Sequence, residues 1–300
     1  MDNKYNEFIS RWEVISVRSD RRSEEVAQLY GNDLALFQTW RRLDTSYQSY
    51  DNSSIFENFK TMHLDGITAE VPEAVAQFTK NHADNLEKLE HNDISLARLD
   101  NDGQITAIYK TSNGLHESIA TIQIDFSQNG VSVPAFQARF MELEVNGQPT
   151  LVVTALQKYT DEEATIARLK KENPKRLEKL TKDSALLEKV EHKFGFKFET
   201  LALLTVLALA KAKGEKQALL VPYEYQLWKQ FHENNKDGVV IPNVYDPIAK
   251  LVGMRRSSEV NSWWMLRNNG PVSVDAGIKV SPLEMASAQN AYSRMIELLR

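Results

Sequence analysis

Residues 200–221 read TLALLTVLALAKAKGEKQALLV, and this stretch decides the fold. Thr200 to Ala210 is apolar around nearly the whole circumference of a helix, which predicts a helix buried on all sides. Lys211 and Gly214 suit the end of that helix. Gln217 to Val221 then predicts a strand that is buried on both faces. A buried helix that leads directly into a buried strand indicates a core in which helices and sheet are packed together.

Upstream of this core, the hydrophobic period changes from that of helices to that of strands near Leu96. Asp102-Gly103 and Asn146-Gly147 are strong hairpin-turn signals, each lying between two alternating segments. The sequence therefore predicts a meander of about five antiparallel strands over 96–157.

The chain before this point has the pattern of helices, with apolar stripes at helical spacing from Tyr5 onward. We therefore predict an α+β protein in two parts: a helical N-terminal region, 1–94, and an α/β domain, 95–300. The helical region is expected to pack on a mixed, mainly antiparallel sheet formed by 96–157, 217–221 and 260–267. Further helices are predicted at Tyr245 to Val252 and after Ser281-Pro282-Leu283-Glu284, which is a capping box with proline at the first helical position.

A charged insertion interrupts the domain at 158–193. Half of its 36 positions are charged, ten positive and eight negative. This pattern predicts an insertion of exposed helices, with Pro174 separating two of them. The alternative is a functional basic surface around Lys170, Lys171, Lys175 and Arg176, although the interleaved acids cancel most of its field.

Composition excludes several classes of function. The net charge of −5 argues against binding to nucleic acid, and the absence of cysteine excludes thiolate catalysis and cysteine-ligated metals. The N-terminus has no signal-peptide pattern, and the longest apolar run, Leu201 to Ala210, is too short for a membrane span. We expect a soluble, cytoplasmic protein with no membrane span, and export without a signal peptide stays open.

Standard catalytic signatures are missing. The sequence contains no P-loop, no dinucleotide-binding glycine motif and no zinc-protease motif, and its six histidines lack metal-ligand spacing. The sequence therefore predicts no metal site.

The order of elements over about 96–267 nevertheless resembles the GNAT acetyltransferase superfamily. In that family a strand that splays from its neighbour precedes a main helix, and a loop reading Arg/Gln-x-x-Gly-x-Gly/Ala opens the helix. Here the matching loop is His192-Lys193-Phe194-Gly195-Phe196-Lys197, which keeps the first glycine and replaces the second with Lys197. The family's general-acid tyrosine falls on Ala249, and Tyr245 lies one helical turn earlier.

The resemblance implies a cofactor and a set of site residues. The cofactor would be an acyl-CoA, with its pyrophosphate on the backbone amides near Gly195, Phe196 and Lys197. The strand residues up to Leu156 would hold the pantetheine arm, and Tyr245 would protonate the leaving thiolate.

Two hypotheses of function remain open, and with them the question of whether the protein is an enzyme. The first is a non-catalytic protein-interaction or regulatory protein on a degenerate GNAT-like scaffold, which acts through a protein partner. The altered loop and the displaced tyrosine favour it, and a microbial effector or a phage protein would suit this class. The alternative is an acyl-CoA-dependent N-acyltransferase.

Overall fold

The computed structural model describes residues 86–101, 103–111, 120–158, 170, 173–225, 243–258, 264–267 and 279–300. The predicted helical region, 1–94, therefore lies outside the described residues except for its end. Residues 226–242 and the first part of the charged insertion also lie outside them.

The described residues form one mixed, mainly antiparallel sheet. Its strands are β1 (Asp93–Arg98), β2 (Gln104–Thr111), β3 (Ala120–Gln128), β4 (Val131–Val145), β5 (Gln148–Lys158), β6 (Gln217–Leu220), β7 (Arg255–Arg256) and β8 (Trp264–Arg267). They lie side by side in the order β1-β2-β3-β4-β5-β6-β8-β7. The first five are consecutive antiparallel neighbours, which confirms the predicted meander. The pair β5 and β6 is parallel, and it joins the meander to the rest of the sheet.

Two asparagine–glycine turns determine how the meander folds back on itself. Asn146 and Gly147 join β4 to β5 with φ of 51° and 71°, as their sequence predicts. Asn129 and Gly130 join β3 to β4 in the same way, with φ of 53° and 75°. Strand β4 begins at Val131, directly after this second turn.

The described helices are α1 (Glu87–Glu90), α2 (Pro174–Phe194), α3 (Phe198–Ala212), α4 (Tyr245–Leu251) and α5 (Pro282–Leu299). Helix α3 packs across β3, β4 and β5, and α5 packs on α3 and on β1. Every residue of α3 from Thr200 to Ala210 is buried, which confirms the predicted core helix. Helix α5 begins with the predicted capping box between Ser281 and Glu284.

Helix α2 is the described part of the charged insertion. The side chain of Asn173 caps its first turn, and Pro174 occupies its first position. The helix ends at Gly195, whose φ of 66° is left-handed and suits glycine. Its buried residues are Leu187, Val190 and Glu191. This part of the predicted insertion is helical, and more than half of its residues are exposed. At the other end of the meander, β1 begins at Asp93, three residues before the predicted start of the meander at 96 and inside the predicted helical region.

Candidate functional site

Strands β5 and β6 separate within the sheet. Their parallel pairing runs from Thr150 to Val153 on β5, and the amide of Val221 adds a last hydrogen bond of 2.9 Å to the Val153 carbonyl. Beyond this point β6 has ended, whereas β5 continues to Lys158. The edge of β5 that faces β6 therefore loses its strand partner after Val153.

Tyr245 takes the place of the missing strand at Leu156. Its hydroxyl accepts a hydrogen bond of 3.1 Å from the Leu156 amide and donates one of 3.2 Å to the Leu156 carbonyl. The tyrosine is the first residue of α4 and is 1% exposed. The structure thus brings together the predicted catalytic residue and one of the predicted cofactor-binding residues, and joins them by two hydrogen bonds.

The predicted phosphate-binding loop lies between α2 and α3, and its backbone amides are already bonded. The amides of Gly195 and Phe196 donate to the main-chain carbonyl of Glu191, at 2.9 and 3.3 Å. The next two donate to carboxylates: Lys197 to Glu284, at 2.9 Å, and Phe198 to Glu191, at 2.8 Å. The first two of these bonds close the C-terminus of α2, and the last two lie at the N-terminus of α3, so all four successive amides donate to oxygens of the chain itself.

The two carboxylates come from distant parts of the chain. Glu191 lies in the last turn of α2, and its second oxygen accepts from the ammonium of Lys197 at 2.9 Å. That hydrogen bond raises the pKa of Lys197. Glu284 lies in the first turn of α5, and its second oxygen accepts from the Ser281 amide at 2.7 Å. Both glutamates are buried, so negative charge of the protein fills the position where a helix dipole favours an anion.

The residues of the same loop have structural roles. Phe196 is buried and packs edge-to-face on Phe198, with ring centroids 4.9 Å apart. Gly195 terminates α2. The exposed residues just before the loop, His192 and Lys193, belong to the last turn of α2. Among the predicted cofactor-binding residues of the loop, Gly195 and Lys197 are exposed, and the ammonium group of Lys197 is paired with Glu191.

Neither glutamate is predicted from the sequence to belong to this site. In the sequence, Glu284 stands out only as half of a capping box, and Glu191 is one charge among many in the insertion. The arrival of Glu284 at this loop depends on how α5 packs on α3, and no local pattern carries that information.

A second group of ionisable residues lies at the other end of α3. Lys213 forms a buried ion pair with Glu142 of β4, whose side chain is 2% exposed. Glu215 follows in the next loop and is also buried. Desolvation, reinforced by the charge of Glu142 and opposed by that of Lys213, raises the pKa of Glu215 to about 7. This group holds the C-terminal end of α3 against the sheet.

Polar side chains also form a network on β3, β4 and β5. Gln157 accepts hydrogen bonds from Gln137 at 2.6 Å and from Arg139 at 2.9 Å. Asp125 accepts from Gln123 and from Ser132. Arg139 and Asp125 are buried, so these hydrogen bonds satisfy polar groups that water does not reach. We therefore interpret the network as a structural feature of the sheet.

Within the described ranges, no group of histidine, aspartate and glutamate side chains is arranged to hold a metal ion. None of the helices in those ranges is long and apolar enough to cross a membrane. The chain matches no protein-family model, and it has no significant match among curated proteins or solved structures.

Proposed function

We propose that this protein is a non-catalytic protein-interaction or regulatory protein built on a degenerate acetyltransferase-like scaffold. The observation that carries the proposal is the state of the loop between α2 and α3. Each backbone amide from Gly195 to Phe198 donates to an oxygen of Glu191 or Glu284. An acyl-CoA pyrophosphate would need those same amides.

The architecture supports the scaffold part of the proposal. An antiparallel meander leads to β5, a buried helix follows, and β6 returns parallel to β5 before a second helix and a further strand. This is the order of elements on which the resemblance rests. The separation of β5 from β6 after Val153 agrees with the splayed strand of that family.

Electrostatics support the loss of the pyrophosphate site. A bound pyrophosphate would lie beside the carboxylates of Glu191 and Glu284, and like charges at close range repel strongly in a buried site. Glu199, in the first turn of α3, adds a third carboxyl, and its pKa is raised by desolvation and by Glu191. The ammonium group of Lys197 already forms an ion pair with Glu191. Binding would therefore require the loop to give up carboxylate contacts that now satisfy it.

The position of Tyr245 supports the loss of catalysis. A general acid must come within hydrogen-bond reach of the atom that it protonates. The Tyr245 hydroxyl is instead buried and bonded to both backbone groups of Leu156, which a pantetheine arm would otherwise use. The tyrosine would have to leave this position before it could serve an acyl transfer.

Acetyl-CoA tests the proposal directly. We expect no change in the unfolding temperature with saturating acetyl-CoA, whereas a ligand at about 100 times its dissociation constant would stabilise a binder by about 2.7 kcal/mol. We also expect no thiol release with a panel of amine and protein acceptors. Turnover that the wild type supports and Tyr245→Phe loses, with Tyr292→Phe active as the matched control, would establish the alternative N-acyltransferase.

A further inference from the structure

Helix α2 carries a straight row of lysines, which we call the lysine row: Lys175, Lys179, Lys182, Lys189 and Lys193. Their spacing follows the alternating four and three residues of a heptad seam, and Leu186 fills the one remaining position. At about 100° per residue, all five lie within about 40° of one line along the helix, and the row is about 27 Å long. All five lysines are exposed.

The row lies open on the surface of the protein. The buried residues of α2 all belong to its C-terminal half, so the first half of the helix buries no residue. Lys182 pairs with Glu178 one turn away, and Lys193 approaches Asp100 at 3.7 Å. The other three lysines form no ion pair with any residue in the described ranges.

The arrangement does not serve the stability of the helix itself. Lys175 and Arg176 stand in the first turn, which contains no acidic residue. Cations at this end oppose the helix dipole, whereas Asp or Glu would stabilise it. Helix α2 as a whole carries six lysine and arginine residues against four acidic ones, so the interleaved acids offset most of its charge. The excess of positive charge is small, and it is presented on the face that carries the row.

We propose that the lysine row binds an acidic α-helical segment of a partner protein. This inference rests on the proposed function and gives the partner a chemical class. A row at heptad spacing stays in register with a second helix, so carboxylates at a and d positions of that helix would meet the lysines along its whole length.

The same features argue against other occupants. A second copy of this chain would set lysine against lysine. The apolar residues of α2 that are buried, Leu187 and Val190, are turned into the fold and cannot insert into a lipid surface. The row itself contains neither arginine nor an aromatic side chain, which single-stranded nucleic acids use for stacking.

The test uses the full chain and a fluorescent peptide of three heptads with glutamate at every a and d position. The row variant is Lys175→Glu/Lys179→Glu/Lys182→Glu, and the matched control is Lys216→Glu/Lys250→Glu/Lys279→Glu. Both remove the same charge from exposed positions. Glutamate forms helix about as well as lysine, so the row variant keeps α2, and circular dichroism checks this.

We expect the peptide to bind the wild type and the control equally, and the row variant at least about tenfold more weakly, with binding lost at about 0.5 M salt. A peptide of the same composition with the glutamates out of register should bind at least about tenfold more weakly than the heptad peptide. Equal binding by the row variant, equal binding of the out-of-register peptide, or no binding of the heptad peptide would overturn the inference. If oligouridylate or phosphatidylserine vesicles bound the protein more tightly than the heptad peptide does, the inference would be overturned as well.

Thiol release from acetyl-CoA is measured in the absence of peptide, so failure of the proposed function is recognised separately from failure of this inference.

Discussion

The hydroxyl of Tyr245 lies 3.1 Å from the amide nitrogen of Leu156 and 3.2 Å from its carbonyl oxygen. A side chain from α4 thereby completes the edge of β5 where β6 has ended. Buried backbone groups are almost always hydrogen-bonded, and here a single hydroxyl satisfies both the donor and the acceptor of one residue.

Replacing Tyr245 with phenylalanine should therefore destabilise the fold. The ring stays in place, but the amide and carbonyl of Leu156 lose their partner in a buried position, which costs about 1–3 kcal/mol. Urea denaturation measures the loss. Tyr292→Phe is the control, because Tyr292 is half-buried on α5 and its hydroxyl has no such role. Equal midpoints for both variants would show that the bridge at Leu156 adds nothing.

Glu284 should contribute more than an ordinary helix cap. Its two oxygens accept from the amides of Lys197 and Ser281, so one carboxylate ties the first turn of α5 to the first turn of α3. Glu284→Ala leaves both amides unsatisfied, and we expect a loss of about 2–3 kcal/mol in the free energy of unfolding. Glu297→Ala, an exposed residue of the same helix, should change it by less than about 0.5 kcal/mol. A Glu284→Ala effect as small as that of the control would contradict the role of the carboxylate as a tie.

Much of the fold followed from local pattern. Three elements could be predicted from a few adjacent residues each: the apolar helix from Thr200 to Ala210, the turn at Asn146-Gly147 and the capping box at Ser281. The turn at Asn129-Gly130 carried the same information and was available from the sequence. The separation of β5 from β6 could be expected only through the family resemblance.

The candidate site was much less predictable. The sequence pointed to Gly195, Phe196 and Lys197, but whether their amides were open to a ligand depended on Glu191 and Glu284. Glu284 reaches the loop only through the packing of α5, which no spacing rule describes. Glu191 is close in sequence, but its carboxylate meets the Phe198 amide only because the chain turns sharply between α2 and α3. Tyr245 was identified as a residue of interest, yet its burial against Leu156 depends on where β6 stops.

The ion pair between Lys213 and Glu142 gives a prediction about buried charge. Lys213→Met should cost about 3–5 kcal/mol, because it leaves the carboxylate of Glu142 buried without its counter-charge. Adding Glu142→Leu should recover most of that loss, since the unpaired charge is then absent. The exposed Lys216→Met is the control. A double variant no more stable than Lys213→Met would show that the pair contributes through packing and not through charge.

The core helix gives a prediction about packing. Leu204 and Leu207 are 2% and 0% exposed in the middle of α3. Replacing either with alanine should cost about 2–5 kcal/mol through lost apolar burial and the cavity that remains. Leu177→Ala on α2, where the side chain is only half-buried, should cost about 1 kcal/mol or less. An unchanged midpoint for Leu204→Ala and Leu207→Ala would mean that α3 is not part of the core.

Glu215 should make the stability of the protein fall as the pH rises. Burial and the charge of Glu142 raise its pKa from 4.5 to about 7, so the folded state holds this proton to a higher pH than the unfolded state does. Where the folded state binds more protons, the free energy of unfolding decreases with pH, and the decrease is complete above the folded pKa. The contribution of Glu215 is therefore lost between about pH 4.5 and pH 7, and it amounts to roughly 3 kcal/mol.

Glu215→Gln, which stays neutral, should gain stability relative to the wild type over this window. Denaturation at a series of pH values measures the difference, with exposed Glu144→Gln as the control. A difference between Glu215→Gln and the wild type that stays constant from pH 5 to pH 8 would mean that the carboxyl of Glu215 does not titrate in this window.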